Sequence, residues 1–313
     1  MSDYSKPLIA HTNGYQLPQT EIWIDPTHPV HTAVVSHAHG DHAVPGHGKV
    51  FCTKNTARLL RTRYRNFADM VITPEFYEWF EVDGVSFQFI PAGHMLGSAQ
   101  IVWKHEGRII NYTGDYKRQS DASCEPYETV KCDVLITETT FAQQGKTHPP
   151  DEDSLKAFDA AINTNYIVGA YALGKAQRLT RLFADLKPEF KVMVHPKISK
   201  YHRVYEEAGF DLGEWLPYQK QVFKKTANNI YIVPPLVLQS YASDIGYLRG
   251  MASGWDRLQE GYDIKLPVSD HSDWHDLLNT ITESEAKVVY TIHGDSNELM
   301  QHLSNAAVHI EEL

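Results

Sequence analysis

The chain has 313 residues, of which 42% are hydrophobic and 22% charged, and its formal net charge is −10. That length exceeds one ordinary domain, and the composition supports a substantial core and excludes general disorder. Apolar runs are too short for a membrane span, the first residues lack the basic-then-apolar order of a signal peptide, and Cys52, Cys124 and Cys132 are too irregularly spaced for a disulfide framework or a Cys-x-x-Cys zinc site.

A cytoplasmic protein with reduced thiols and no membrane partner is therefore expected. Glu21 to Asp25 reads as a strand ending in a carboxylate, followed by a turn at Pro26. The apolar run Thr32 to Val35 reads as a buried strand, and Lys49 to Thr53 as another. Thr56 to Tyr64 suits a helix carrying Arg58, Arg61 and Arg63, with Arg65 just beyond. Asp83-Gly84 and Glu106-Gly107 mark hairpin turns between β-rich flanks. Asp133 to Thr137 runs as an apolar strand into Glu138.

The texture changes at the breaker-rich Gly145 to Pro150. Helices expected over Asp151–Ile162, Lys175–Leu186 and Lys200–Ala208 then alternate with short strands over Tyr166–Tyr171, Phe190–Val194 and Ile230–Val233. Such alternation suggests a smaller, mainly parallel α/β module over 151–254, inserted between 1–150 and 255–313. The last part reads as strand Tyr262–Ser269, helix Trp274–Thr282, strand Lys287–Ile292 and helix Asn297–Asn305. An acidic protein is a poor partner for a polyanion, yet residues 156–225 hold 12 Lys and Arg against 7 acids.

Ser36-His37-Ala38-His39-Gly40-Asp41-His42 sets three imidazoles and a carboxylate on the loop where a buried strand ends. Imidazole and carboxylate together suit zinc, manganese or iron, whereas calcium and magnesium prefer oxygen alone. His94, Asp115, His271 and His293 also follow apolar runs, where sheet-based folds place their sites. Gly174-Lys175 between a strand and a helix, with Arg178 one turn on, could approach a phosphate; an ordinary helix start explains it as well. Tyr171 and Trp255 could stack on bases, although buried aromatics are the commoner case.

These motifs resemble the metallo-β-lactamase superfamily, in which His-x-His-x-Asp-His, a later Gly-His and a later Gly-Asp hold one or two metals. Glu138, the run Ser269 to Asp273 and His293-Gly294 resemble the further motifs of the β-CASP nucleases, which insert a second domain into that fold. Four stretches, Pro91–Gln100, Gly114–Arg118, Gly169–Arg178 and Ala252–Trp255, are similar to the bacterial ligase-associated DNA exonucleases.

The resemblance implies a mixed α/β (α+β) fold: a four-layer αββα sandwich with an inserted α/β β-CASP domain. It implies two divalent ions, zinc or manganese. His37, His39 and His94 would hold one, Asp41, His42 and His293 the other, and Asp115 would bridge them. Asp41, Glu138 and His271 become the expected catalytic residues, with His271 as proton donor to the leaving oxygen and Glu138 fixing its tautomer. Asp25 would orient a ligand from behind, and Gly174, Lys175 and Arg178 would contact substrate phosphates. The expected function is a DNA exonuclease of repair, working beside an ATP-dependent DNA ligase and a helicase. An RNA-processing β-CASP nuclease shares every motif, a thioester or lactam hydrolase would need only the metal loop, and a silent binding scaffold would be expected to lose ligands.

Overall fold

The computed structural model describes residues 6–159, 163–242, 246–306 and 308–313. It divides into two compact units, one of Met1–Ser120, Glu125–Thr147 and His271–Leu313, the other of Asp121–Cys124 and His148–Asp270. No helix among the described residues is long and apolar enough to cross a membrane.

The first unit opens with β1 (Ile9–His11), β2 (Gly14–Gln16), β3 (Ile22–Ile24), β4 (Thr32–Val34) and β5 (His47–Phe51). Helix α1 (Lys54–Arg63) and β6 (Ala68–Ile72) follow, and the six strands form one sheet in sequence order. Strands β3 to β6 are parallel, so the loops leaving β3 and β4 emerge at the same sheet edge. Then come β7 (Trp79–Val82), β8 (Val85–Pro91), β9 (Ala99–His105), β10 (Arg108–Tyr112) and β11 (Val134–Glu138). The hairpins fall at the expected dipeptides. Asp83 and Gly84, and Glu106 and Gly107, all take positive φ, as a two-residue hairpin turn requires.

The second unit contains α2 (Asp151–Ser154), β12 (Tyr166–Gly169), α3 (Lys175–Leu186), β13 (Lys191–Val194), α4 (Pro196–Glu207) and β14 (Trp215–Pro217). It continues with α5 (Lys220–Lys225), β15 (Asn229–Val233), α6 (Pro235–Leu238), β16 (Leu248–Ala252) and β17 (Ile264–Leu266). Its six strands make one wholly parallel sheet, ordered β14-β13-β15-β12-β16-β17. Because β17 pairs with β16, residues 255–270 fall in this unit and not in the first, where the sequence reading puts them. The long helix expected from Asp151 is a short one ending at Ser154 and a 3-10 turn at Lys156–Phe158; the remainder of that expectation, 160–162, lies outside the described residues.

The chain returns to the first unit with α7 (Trp274–Glu283), β18 (Val288–Ile292), α8 (Asn297–His302) and β19 (His309–Glu312). Its second sheet runs β19-β18-β11-β10-β9-β8-β7. Alternate residues of its central strands explain the packing. Val134, Ile136, Val288, Tyr290 and Ile292 join Ile22, Ile24, Val34 and Phe51 of the other sheet in one core. Leu135 and Val289 face the opposite way, against Trp274, Leu277 and Ile281 of α7 and Leu299 of α8. Both faces of this sheet are covered, so β11 and β18 are buried throughout and read as unbroken apolar runs. Each such fully buried side chain stabilises by about 1.5–3 kcal/mol.

Candidate metal centre

Every residue of the centre sits where a strand of the first unit ends. Past β4, a single turn closed by the His42 and Ala43 amides donating to the His39 carbonyl brings His37, His39 and His42 together. Past β8, His94 lies on a loop held by its own amide donating to Ser98 Oγ at 3.1 Å. Gly93 takes φ +72°, and a Cβ there would lie 2.3 Å from the Lys117 carbonyl, so only glycine lets this loop close. Asp115 follows β10, Glu138 ends β11, and His293 follows β18.

The Asp115 carboxylate is the meeting point. Its Oδ2 lies 3.5 Å from His37 Nε2 and 3.8 Å from His94 Nε2, and its Oδ1 lies 3.4 Å from His42 Nε2. His94 Nε2 is 3.1 Å from His39 Nδ1. Donor atoms of His37, His39, His94 and Asp115 lie within 4.8 Å of one another, as do those of Asp25, His37 and His42, and of Asp115, Glu138 and His271.

Hydrogen bonding behind the cluster fixes the tautomers. Asp25 Oδ1 accepts from the Ser36 amide at 2.7 Å. Its Oδ2 accepts from Ser36 Oγ at 2.5 Å, from His42 Nδ1 at 2.9 Å and from the Tyr112 hydroxyl at 3.0 Å. The Ser36 hydroxyl has one proton, and it goes to Asp25. Toward His37 Nδ1, 2.9 Å away, Ser36 Oγ must therefore accept. Nδ1 of both His37 and His42 carries hydrogen, and both Nε2 atoms turn toward Asp115. Asp25 thus acts on two imidazoles, on His42 directly and on His37 through Ser36. A carboxylate or hydroxyl behind a histidine is the usual way to orient it for a metal.

The donor set fits a divalent cation. His37 Nε2 is fully buried, has no hydrogen-bond partner, and faces a carboxylate oxygen beyond hydrogen-bonding distance. Two acceptors facing each other in a buried space call for a positive charge between them. Burial, reinforced by His42, holds His37 well below the ordinary histidine range and keeps its lone pair available. Burial works against the Asp115 charge, yet His42, His271, His37 and His94 hold this carboxyl well below the usual range. His42 is pushed up to about 10: burial opposes its charge, but Asp115, Asp25 and Asp41 outweigh it. The carboxylates that favour a proton on His42 would equally favour a metal ion in its place.

A second feature stands beside the cluster. His271 Nδ1 lies 2.8 Å from Glu138 Oε2 and 3.1 Å from Oε1. Glu138, 1% exposed, also accepts from the Tyr116 amide at 2.9 Å and from Thr140 Oγ1. Glu138 thereby fixes the His271 tautomer with its hydrogen on Nδ1. The His271 ring lies 4.9 Å from that of His94 and 6.1 Å from that of Phe141.

The remaining expected residues are placed less tightly. Asp41 and His293 are exposed and lie outside all three donor groups, although the His293 ring is 5.0 Å from that of His42. His37, His39, His42, His94 and Asp115 are therefore brought together, whereas Asp41 and His293 lie outside the donor groups. Gly174, Lys175 and Arg178 belong to the second unit. Gly174 has φ +85° and its amide donates to Gln177 Oε1 at 2.8 Å. Lys175 is buried, 3.4 Å from Asp270 Oδ2 and 3.2 Å from the Val268 carbonyl. Arg178 is buried against Asp151 at 2.6 Å and the Ser269 carbonyl at 2.8 Å. Both charges are balanced by carboxylates of their own unit. Tyr171 is 51% exposed, and Trp255 is half-buried.

Ser36 and Tyr112 were missed by the sequence reading. Adjacency to His37 and position on the strand leading to Asp115 were the only signals available for them.

No family model matches the chain. It is 31% identical over 312 residues to a protein from Opitutus terrae named Probable DNA ligase, covering 94% of this chain and 30% of that protein. It is 28% identical over 178 residues to an RNase J-like protein from Methanocaldococcus jannaschii, covering 48% of this chain and 42% of the relative. The chain belongs to the β-CASP group of the metallo-β-lactamase superfamily. Among solved structures, a protein of unknown function from Enterococcus faecalis V583 shares the fold, with a TM-score of 0.59 at 16% identity over 90% of this chain and 79% of that one. This β-CASP chain spans less than half the length of the two curated relatives described.

Proposed function

We propose that the protein is a metal-dependent phosphodiesterase acting on nucleic acid, with the first unit as an αββα four-layer sandwich carrying the reaction. The observation behind this reading is the His271–Glu138 pair, whose donor atoms lie within 4.8 Å of Asp115. A hydrolase of esters with good leaving groups needs no proton donor beside its metal ligands, whereas the 3′-oxygen leaving a phosphodiester does. Two divalent ions, zinc or manganese, on His37, His39, His94, Asp115, Asp41, His42 and His293 would supply Lewis acidity and a water of lowered pKa.

The chain's own residues do the rest. Asp25 and Ser36 hold the ligand imidazoles in the tautomer that presents Nε2. Glu138 takes the Nδ1 proton of His271 as a hydrogen bond, and its negative charge favours the imidazolium. His271 Nε2 gives its proton to the leaving oxygen as the P–O bond breaks, and water supplies the hydroxyl gained by phosphorus.

DNA is the favoured substrate, with cleavage from an end. The support is that 94% of this chain aligns within a protein named as a DNA ligase, most of which lies outside the match. A nuclease and a ligase joined in one chain act on one substrate, so an ATP-dependent DNA ligase is the expected companion here. The RNase J-like relative favours RNA instead. Metal-stripped protein reloaded with Zn²⁺ or Mn²⁺ and given end-labelled DNA and RNA separates the two. Progressive shortening of DNA is expected, with kcat reduced roughly 10²–10⁴-fold in His271→Ala and its metal content retained. Preference for RNA would establish the second reading, and cleavage of neither polymer would overturn both.

A further inference from the structure

Residues 54–65 contain Lys54, Arg58, Arg61, Arg63 and Arg65 and no acid, the densest positive charge in an acidic chain. Lys54, Arg58 and Arg61 recur at four and three residues along α1, so they line one stripe at intervals of about one turn, ~5.4 Å, and Arg65 follows two residues past the helix end at Arg63. The opposite face, with Thr56, Ala57, Leu59 and Leu60, is buried. Lys54, Arg61, Arg63 and Arg65 are exposed, while half-buried Arg58 donates to Asn55 Oδ1 at 3.4 Å. None of the five meets a carboxylate among the described residues. Helix stability accounts for part of this pattern, because Arg61 and Arg63 in the last turn complement the helix dipole. It does not account for Lys54 in the first turn, where a cation is disfavoured, or for Arg58.

The helix is fastened to both ligand-bearing loops. At its start, Thr53 Oγ1 and Thr56 Oγ1 donate to the Gly97 carbonyl at 2.6 and 2.8 Å, on the loop of His94. At its end, Arg63 Nη1 donates to the Ala38 carbonyl and Tyr64 to the Ala43 carbonyl, each at 3.2 Å, on the loop of His37, His39 and His42. A Cβ on Gly40 would lie 2.4 Å from Arg63 Nη2, so the glycine between His39 and Asp41 leaves room for that guanidinium.

We infer that α1 and the segment just after it form the phosphate track of the metal centre: Lys54, Arg58 and Arg61 on the helix, with Arg65 beyond its end, hold the backbone of a polynucleotide whose scissile phosphate lies at the adjoining ligand loops. This rests on the nuclease reading. Its ligand is a chain of phosphates, because regularly spaced, unpaired cations recognise a repeated anion without reading bases. Arg63 is a positioning residue for the loop, since its guanidinium is occupied by Ala38.

The test uses the metal-stripped full chain, so that binding is read without cleavage, and a short fluorescent single-stranded DNA titrated between about 50 and 200 mM salt. R61Q/R65Q is expected to flatten the slope of log K against log salt by about 1.4 and to weaken binding about 25-fold near 0.1 M salt. R61Q alone, at one exposed side chain, should flatten it by about 0.7, and it serves if the double variant does not fold. K224Q/K225Q removes the same charge from α5 and should leave the slope unchanged. An unchanged slope in both arginine variants, or an equal loss in the lysine control, overturns the track. Cleavage by the reloaded wild type is scored separately: cleavage without dependence on α1 leaves the nuclease standing, and binding through α1 without cleavage leaves the track standing and removes the chemistry.

Discussion

Two stretches of this chain carry the same net charge of +5, one with five cations and no acid over residues 54–65, the other with twelve cations and seven acids over residues 156–225. In the second stretch the structure pairs five of the twelve cations with carboxylates, and buries Lys175 and Arg178 among them. Lys156 pairs with Asp153, Lys175 with Asp270, Arg178 with Asp151, Arg181 with Asp185 and Asp211, and Lys187 with Asp159. On α1 and just past it, none of the five cations meets a carboxylate among the described residues, and four of them are exposed. A count of charges along a sequence therefore ranks the two stretches equally, whereas their pairing ranks them oppositely. Paired charge holds a fold together, and unpaired charge is free to hold a ligand.

If that distinction is right, removing a cation should cost stability in the second unit and almost none on α1. The largest effect is expected at Arg178. Its guanidinium is buried, and although burial opposes its charge, Asp121, Asp151 and Asp270 raise its pKa. Arg178→Met leaves Asp151 without its counter-charge and strips one of two cations from around Asp270, a loss of about 3 kcal/mol. R61Q, on an exposed face, should stay within about 0.5 kcal/mol of the wild type. Urea unfolding of the two variants decides the matter, and comparable losses would erase the contrast between the regions.

The metal centre was legible for a physical reason that the pairing was not. Four of its expected ligands stand on one loop of six residues, so chemistry and spacing declare themselves locally, and the other expected ligands each follow an apolar strand. Lys175 and Asp270 are far apart in the chain, and only the parallel order of β12, β16 and β17 sets the segment after β17 beside the start of α3. The hydrogen bond from Ser36 to Asp25 likewise depends on β3 and β4 running parallel and adjacent. Short-range grammar also overstated some elements. The strand expected over Tyr262–Ser269 pairs only at Ile264–Leu266, because Pro267 ends it.

Buried histidines extend the contrast from cations to neutral groups. His37 has an Nε2 without a hydrogen-bond partner, whereas His202 of the second unit has both ring nitrogens engaged. Because the Gly174 amide donates to Gln177 Oε1, the Gln177 amide nitrogen must donate to His202 Nδ1 at 3.0 Å, leaving Nε2–H for Thr180 Oγ1 at 2.8 Å. Burial lowers the His202 pKa to about 3. The unfolded chain takes up a proton near pH 6.5 that the folded chain refuses, so this contribution is intact above that pH and is lost as pH falls toward 3. At pH 5 the cost is about 2 kcal/mol. H202Q, which cannot titrate, should show a shallower loss of stability between pH 6 and pH 4, and parallel curves would mean that His202 does not carry the acid sensitivity.

The smallest expected effect concerns how α1 is held. Thr53 caps the helix, accepting from the Thr56 amide at 3.2 Å while donating to the Gly97 carbonyl at 2.6 Å. Thr53→Ala removes both bonds and should lower stability by about 1 kcal/mol, with Thr53→Ser restoring most of it. Its charges stay in place, so the salt slope of DNA binding should not change, the reverse of what R61Q/R65Q should do. A Thr53→Ala protein with wild-type stability would show that the cap is not what fastens α1 to the His94 loop. A flattened salt slope would show that the four cations act only when the helix is pinned at this end, which would make the geometry of the stripe, and not its charge alone, the source of binding.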